Sequence, residues 1–385
     1  MRMTAAESSI EVRPVRTRAD WRRFHALPPR IYADDPNWVR PLGLQLRQLW
    51  APRHPFFEHA EARAWIALRG GRTVGRISAQ VDRLNDACGR PDLGWFGQLE
   101  ADDERDVFQR LTETAGGWLG EQGRSRMQGP FDLSINQQCG LLVDGFDTPP
   151  MMLMGHARPY YADRLLELGF ESVADLLAYQ GGLDFDGPRG MRRVLGRLGD
   201  RLRIERVERG DLMRRADAMR EMFNAAWADN WGFVPMTEAE FRHAIHDMKI
   251  LIRPGYVQVA WLDDEPAAFM VTLPDLNELV HDLDGRLFPF GGARLLWRIW
   301  RRSSTRARVP LMGVAPKYHR TITGAALSYA MVADTRDFLK SDGIDWTEQS
   351  WILEQNRGMR SLIESIDMTV TKRYRIYERR IGAGE

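Results

Sequence analysis

The sequence predicts an α+β protein made of two successive units of one design. Three observations carry this. The order strand, helix, hairpin, strand, helix, strand, helix, strand can be read twice along the 385 residues. After the first helix of each half comes an Asn-Trp pair with a proline close behind, in "DPNWVRP" (Asn37, Trp38, Pro41) and "DNWGFVP" (Asn230, Trp231, Pro235). A glycine-rich stretch, "GGLDFDGPRG" (Gly181–Gly190), reads as a linker between the halves. The expected division is a domain over 1–180, a linker over 181–190 and a domain over 191–385.

In the first half, "IEVRPV" alternates as a strand, and "RADWRRFHALPPRIY" is helical until its proline pair. "AWIALRGGRTVGRISAQVD" is a hairpin turning at Gly70-Gly71. "LGWFGQLEA" is a strand. "DERDVFQRLTETAGGWLGEQG" is a helix opened by acids and closed near Gly123. Strand "RMQGPFDLSIN", helix "YYADRLLELGF" and strand "DLLAYQ" follow. In the second half, "LRIERV" is a strand and "RADAMREMFNAAW" a helix. "YVQVAWLDDEPAAFMVTL" is a hairpin turning at Asp263-Asp264-Glu265. "ARVPLMGV" is a strand, "GAALSYAMVADTRDFLKSDG" a helix, "IDWTEQSWIL" a strand, "NRGMRSLIESI" a helix and "TKRYRIYERR" a last strand.

Composition narrows the function classes. With 44% hydrophobic and 28% charged residues, the chain is globular. A net charge of +1 and the lack of a recognisable binding module speak against nucleic acid. Cys88 and Cys139 cannot form a disulfide framework and fit a reducing cytosol. The start "MRMTAAESSIEV" lacks the apolar core of a signal peptide, and no apolar run approaches the roughly 20 residues of a membrane span. A cytoplasmic protein is expected. Thirteen tryptophans suggest large apolar surfaces or an interface with lipid.

The order of elements resembles the GCN5-related N-acetyltransferase (GNAT) fold in tandem, which implies a mixed, mostly antiparallel sheet flanked by helices in each domain. The family's best local signal is a Val-x-Pro-x-Tyr-Arg-x-x-Gly-x-Gly-x-Ala-Leu run joining the fourth strand to the third helix. Val314, Pro316, Tyr318, Gly324, Ala326 and Leu327 stand in that register, with His319 at the arginine and Ile322 at the first glycine. A second signal is an asparagine opening the next helix; Asn356 holds that place in "EQNRGMRSLIESIDMTVTKRYRIYER". The resemblance implies acyl-CoA as co-substrate and no permanently bound cofactor. Val314, Lys317, His319, Arg320, Gly324, Ala325 and Asn356 are then the expected CoA-binding residues. A helix N-terminus offers free amides and a positive dipole end, which suit a pyrophosphate. From Ala307 to Ala333 there is no acid to cancel the field of Arg308, Lys317, His319 and Arg320. In the first half, Asp102, Asp103 and Glu104 stand at the equivalent place, where they are expected to satisfy the helix end and repel phosphate. CoA is therefore expected on the second half alone.

The family's transfer is direct, with a base taking the proton of the attacking amine. Its usual tyrosine acid is replaced here by Ile363. Candidate bases are Glu278 in "LPDLNELVHDLDG" and Glu348 and Glu354 beside "TEQSWILEQN"; His281 and His156 are weaker candidates. Asn230, Trp231, Phe233, Asp275 and Asn277 are the substrate-binding candidates, with helix capping the alternative for Asp275 and Asn277. No cluster has metal-ligand spacing. The stretch "RLFPFGGARLLWRIWRRSSTRAR" has seven arginines and no acid. As a helix it would set Leu295, Leu296, Trp297, Ile299 and Trp300 on one arc, and residues 293–302 are expected to lie on an anionic membrane surface.

A narrower resemblance rests on "YADDPNWVRPL", "HPFFEHA", "GPFDLSIN", "NWGFVP", "LPDLNE" and "GRLFPFG". They are similar to segments of a group of bacterial tandem GNAT-like proteins that includes ceramide synthases. It implies N-acylation of a long-chain sphingoid base from acyl-CoA. A non-catalytic acyl-CoA sensor or scaffold, or an N-acetyltransferase for a small amine, are the alternatives.

Overall fold

The computed structural model describes residues 9–382. The elements of the first half are β1 (Ile10–Pro14), α1 (Arg18–Ile31), α2 (Gly43–Leu49), β2 (Ala60–Arg69), β3 (Arg72–Asp82), α3 (Arg83–Ala87) and β4 (Leu93–Ala101). Then come α4 (Arg105–Glu121), β5 (Arg126–Gly129), β6 (Leu141–Asp144), α5 (Tyr160–Glu167) and β7 (Glu171–Gly182). The second half has α6 (Arg189–Leu198), β8 (Leu202–Arg206), α7 (Leu212–Trp227), α8 (Glu238–Met248), β9 (Val257–Leu262), β10 (Glu265–Pro274), α9 (Leu276–Val280) and α10 (Gly291–Trp300). It closes with β11 (Arg306–Val314), α11 (Ile322–Ser341), β12 (Trp346–Leu353), α12 (Arg357–Glu364) and β13 (Thr369–Arg380).

Two compact units result. The first extends to Asp175 and takes in the chain again from Tyr374; the second is Leu176–Arg373. Set against the expected bounds of 1–180 and 191–385, the chain leaves the first unit inside β7 and returns to it inside β13. Gly181 and Gly182 of the expected linker are strand.

Each unit carries a sheet of the same plan. In the first, the order is β1-β2-β3-β4-β5-β13, antiparallel except for the parallel pair β4/β5. In the second it is β8-β9-β10-β11-β12-β7, antiparallel except for the parallel pair β11/β12. The last strand of each half of the sequence thus completes the sheet of the other half's unit. Order along the chain does not encode that partnership, because pairing is set by side-chain complementarity across strands.

Local chemistry explains most elements. Both hairpins turn on two residues with positive φ, Gly70-Gly71 and Asp263-Asp264; such turns match the twist of the strands they join. Arg201 clasps the Asp263 carboxylate with bonds of 2.7 and 2.6 Å, which holds a non-glycine turn in that shape. Helix α1 does not stop at its prolines: Pro28 and Pro29 lie inside it. Pro28 has no N–H for the Phe24 carbonyl, and Arg76 Nη1 donates to that oxygen instead, at 3.2 Å. The expected strand over "RMQGPFDLSIN" is only four residues long, since Pro130 cannot donate to a ladder.

In the first unit, α4 lies on glycine seats in the sheet; a Cβ at Gly94 would stand 2.4 Å from Leu119. In the second, Leu327 and Met331 of α11 pack on Ala260, Ala268, Met270 and Val309 of the sheet. No helix among the described residues is long and apolar enough to cross a membrane.

Candidate active site

The expected site residues of the second unit fall in three places along β11 and β12. These strands pair only over Arg306–Val309 against Trp346–Gln349. Beyond that, β11 continues to Val314 with partners on β10, and the parallel strands part. The opening ends at the N-terminus of α11.

At the upper end, Val314, Lys317, His319, Arg320, Gly324 and Ala325 form one loop. A short turn at Pro316–Tyr318 and the left-handed backbone of Arg320 steer the chain into α11. Thr321 caps the helix by accepting from the Gly324 amide at 3.0 Å. The amides of Ile322 and Thr323 keep no hydrogen-bond partner among the described residues. Gly324 is required for space: a Cβ there would stand 2.2 Å from the Tyr318 carbonyl oxygen.

The loop's charges are less free than the sequence implies. Lys317 is ion-paired with Glu265, which raises its pKa, and it stands over the Tyr318 ring at 5.1 Å. His319 donates from Nε2 to the Val314 carbonyl at 2.7 Å, so the imidazole closes the loop. Arg308 is buried away from it. Arg320 is exposed, with no acidic partner among the described residues.

At the foot of the opening lies a buried polar rung. Gln180 of β7, Glu348 of β12 and Arg308 of β11 are neighbours in register. Gln180 Nε2 donates to Glu348 Oε2 at 2.9 Å, and Ser350 Oγ donates to Oε1 at 2.5 Å. Arg308 donates to Ser350 Oγ at 2.7 Å and to its carbonyl at 3.0 Å. Glu348 is fully buried and Arg308 3% exposed. Beneath the last paired residues, Val309 and Gln349, a small cavity reaches toward Val332 and Thr335 of α11.

Across the opening stands Trp227, the last residue of α7. Its indole N–H donates to the Met312 carbonyl at 3.1 Å, and its ring meets Trp351 edge-on with centroids 5.5 Å apart. Phe223 connects Trp227 to Phe233 at 5.9 Å, and Asn230 and Trp231 are half-buried in the same loop. Sequence reading had no signal for Trp227, Trp351 or Ser350; their positions depend on how far the strands part.

The remaining candidates lie elsewhere. Glu278, the first candidate base, stands beside the start of β11. It accepts from Ser304 Oγ at 2.7 Å, from the Thr305 amide at 3.0 Å and from Thr305 Oγ1 at 2.8 Å. Asp275 is buried, caps α9 through the Asn277 amide at 3.1 Å and faces Arg306 at 3.3 Å. At a rise of about 3.3 Å per residue, the ends of β11 lie about 26 Å apart. Asp275, Asn277 and Glu278 thus gather at the start of β11, away from the α11 loop. Glu278→Gln is expected to lower thermal stability, by about 1–3 kcal/mol for the lost charge-assisted bonds, with acyl-CoA affinity unchanged in titration calorimetry. Glu354 pairs with Arg373 at 2.9 Å, Asn356 caps α12 through the Met359 amide at 3.1 Å, and Ile363 is buried in the core. His281 is exposed and meets the Glu278 carbonyl at 2.9 Å; His156 pairs with Asp35 in the first unit at 2.9 Å.

In the first unit, the acids before α4 do not cap it: Glu104 makes no side-chain cap. Asp102 pairs with Arg30, Asp103 with Arg164 and Glu104 with Arg69.

No protein-family model matches the chain. The bacterial ceramide synthase of Caulobacter vibrioides (strain NA1000 / CB15N) is 42% identical over 383 residues, 98% of this chain and 100% of that protein. Protein YghO of Escherichia coli (strain K12) is 39% identical over 371 residues, 96% of this chain and 95% of its own. Among solved structures, a tandem GNAT protein from the clavulanic acid biosynthesis pathway superposes with a TM-score of 0.58 at 13% identity, over 98% of this chain and 100% of that one. A GCN5-related N-acetyltransferase from Sphaerobacter thermophilus gives 0.55 at 11% identity, over 100% and 98%. Fold and relatives together define an acyltransferase built on tandem GNAT units. The chain belongs to the family of the Caulobacter bacterial ceramide synthase.

Proposed function

We propose that this protein transfers a long-chain acyl group from acyl-CoA to the amino group of a sphingoid-type amine. The observation that carries the reading is a parting of two parallel strands that ends at unpaired helix amides beside an uncompensated arginine, Arg320. A thioester fits along the opening with its phosphates at α11. The amine nitrogen forms its bond to the carbonyl carbon as the C–S bond breaks; the amine gives up a proton and the thiolate takes one. Of the three candidate bases, Glu348 is the one beside the opening, joined through Ser350 to Arg308 of β11. The near full-length relative named a ceramide synthase supports a long-chain amine. The sensor reading has two observations in its favour: Trp227 spans the opening, and Ile363 fills the place of the family's tyrosine. Turnover of acyl-CoA with sphinganine, read as amide by mass spectrometry, separates the two.

A lipid-like substrate needs access from a membrane, and α10 offers a surface for it. The helix splits the expected arc. Leu295 and Ile299 turn inward, while Leu296, Trp297 and Trp300 face solvent, Trp300 with 75% exposure. Phe288, 91% exposed, and Phe290 extend this patch. The arginines are not without counter-charge: Arg294 and Arg298 pair with Asp282, and Arg302 with Asp342. Membrane attachment then rests on aromatic burial more than on charge. Sedimentation with anionic vesicles is expected to show binding that is lost on combined Trp297→Ala and Trp300→Ala and weakened only modestly by salt. A parent protein that ignores such vesicles contradicts this.

A further inference from the structure

Beside its parallel strand pair the first unit holds a cluster of polar side chains that has no counterpart in the second. Strands β4 and β5 pair over Leu93–Trp95 against Arg126–Gln128. The chain past β5 stays against β4: the Phe131 amide donates to the Phe96 carbonyl at 2.8 Å, and a Cβ at Gly97 would stand 1.8 Å from the Phe131 carbonyl oxygen. Past this contact, Glu100 of β4 and Asp132 of the following loop are each close enough to feel the charge of Arg76, and Glu100 that of Asp132.

Side chains from four elements meet there. Tyr32, at the end of α1, and Tyr161 of α5 donate to Glu100 Oε2 at 2.9 and 2.7 Å. Gln98 hydrogen-bonds Asp132 from its backbone and side chain. Arg76 of β3 lies 3.7 Å from Glu100 Oε1; it is 8% exposed, and its Nε has no partner. Trp38 stacks on Tyr32 with centroids 5.2 Å apart. Through the strand registers, Glu100 corresponds to Gly313 of the second unit. There a Cβ would meet Ala226 at 2.8 Å, so that face is closed by packing.

We propose that this polar cluster of the first unit is a binding site for the ammonium group of the amine acceptor, held between Glu100 and Asp132. Two carboxylates against one guanidinium leave a single negative charge, which an ammonium neutralises. Burial raises the pKa of both tyrosines well above the ordinary value, so their hydroxyls remain donors to Glu100. Oxygen Oε1, on the side away from them, is left to accept from the ligand. A phosphate is disfavoured by that net charge. Burial pushes Asp132 up to about 6 and raises Glu100. Such groups are poised to take a proton from a bound amine near neutral pH. His25, pushed down to about 4 by burial and by the charge of Arg76, stays neutral across the same range.

The identity of the ligand as acceptor rests on the amide-forming reading; the site is tested without it. The probe is a soluble short-chain 2-amino-1,3-diol, titrated calorimetrically into the full-length protein in the absence of acyl-CoA. The parent is expected to bind it at about pH 7.5. Asp132→Asn and Glu100→Gln should each weaken binding about tenfold or more and leave acyl-CoA affinity unchanged. Binding by the parent should also fall as pH is lowered through about 6, because protonated Asp132 loses its charge. Thermal unfolding shows whether each variant is folded; if Glu100→Gln is not, Asp132→Asn and the pH dependence decide. Failure of the parent to bind, or parental affinity in both folded variants, overturns the site. Amide formation at the parental rate and KM by both variants also overturns it and leaves the amide-forming reading intact. Binding that depends on both carboxylates with no amide product supports the site and overturns that reading.

Discussion

Gly324→Ala is expected to weaken acyl-CoA binding at least about tenfold, and Gly324→Val further. The added Cβ would stand 2.2 Å from the Tyr318 carbonyl oxygen and 3.2 Å from its carbon, both backbone atoms, so the turn itself must move. Overpacking of this kind costs about 1–3 kcal/mol, and the turn it displaces aims the Ile322 and Thr323 amides. Gly324 does not have positive φ, so the effect is one of space and not of backbone freedom. Calorimetric titration with acyl-CoA, with circular dichroism to confirm folding, reads the result. Unchanged affinity in a folded variant would place the phosphates elsewhere.

Arg308→Met is expected to cost about 3–5 kcal/mol of stability, the usual penalty for breaking a buried ion pair by removing one partner. The guanidinium ties Ser350 from two sides and lies 4.0 Å from the fully buried Glu348. Without it, the buried Glu348 side chain has only Gln180 and Ser350 as hydrogen-bond partners. Removing both charges in Arg308→Met with Glu348→Gln should cost less than the sum of the single changes, the signature of direct coupling. Denaturation of the four proteins of this cycle measures it; strictly additive losses would show that the rung is held by packing alone.

The two cases differ in how far the sequence announced them. The Gly324 loop was legible because a helix start, its cap and its cations are local in sequence. The repeated order of strands and helices was legible for the same reason. Four things were not. The exchange of β7 and β13 between units depends on partners far away in sequence. The apolar arc of α10 is one stripe on a helical wheel, yet the fold buries Leu295 and Ile299 in part and leaves Leu296, Trp297 and Trp300 in solvent. Glu278 has the look of a base because an acid beside a strand end reads the same whether it faces a substrate or anchors Ser304 and Thr305. The cluster of Tyr32, Arg76, Glu100, Asp132 and Tyr161 spans 129 positions of chain, too scattered for any spacing rule, although Asp132 lies in the motif "GPFDLSIN".

The central claim is transfer of an acyl group from a CoA thioester to an amine. Its most direct measurement is incubation of the purified protein with a long-chain acyl-CoA and sphinganine, with amide counted by mass spectrometry and free thiol counted in parallel. The account predicts one amide for each thiol released, and loss of both in Gly324→Val. Thiol release without amide, or binding of acyl-CoA with neither product, would contradict it.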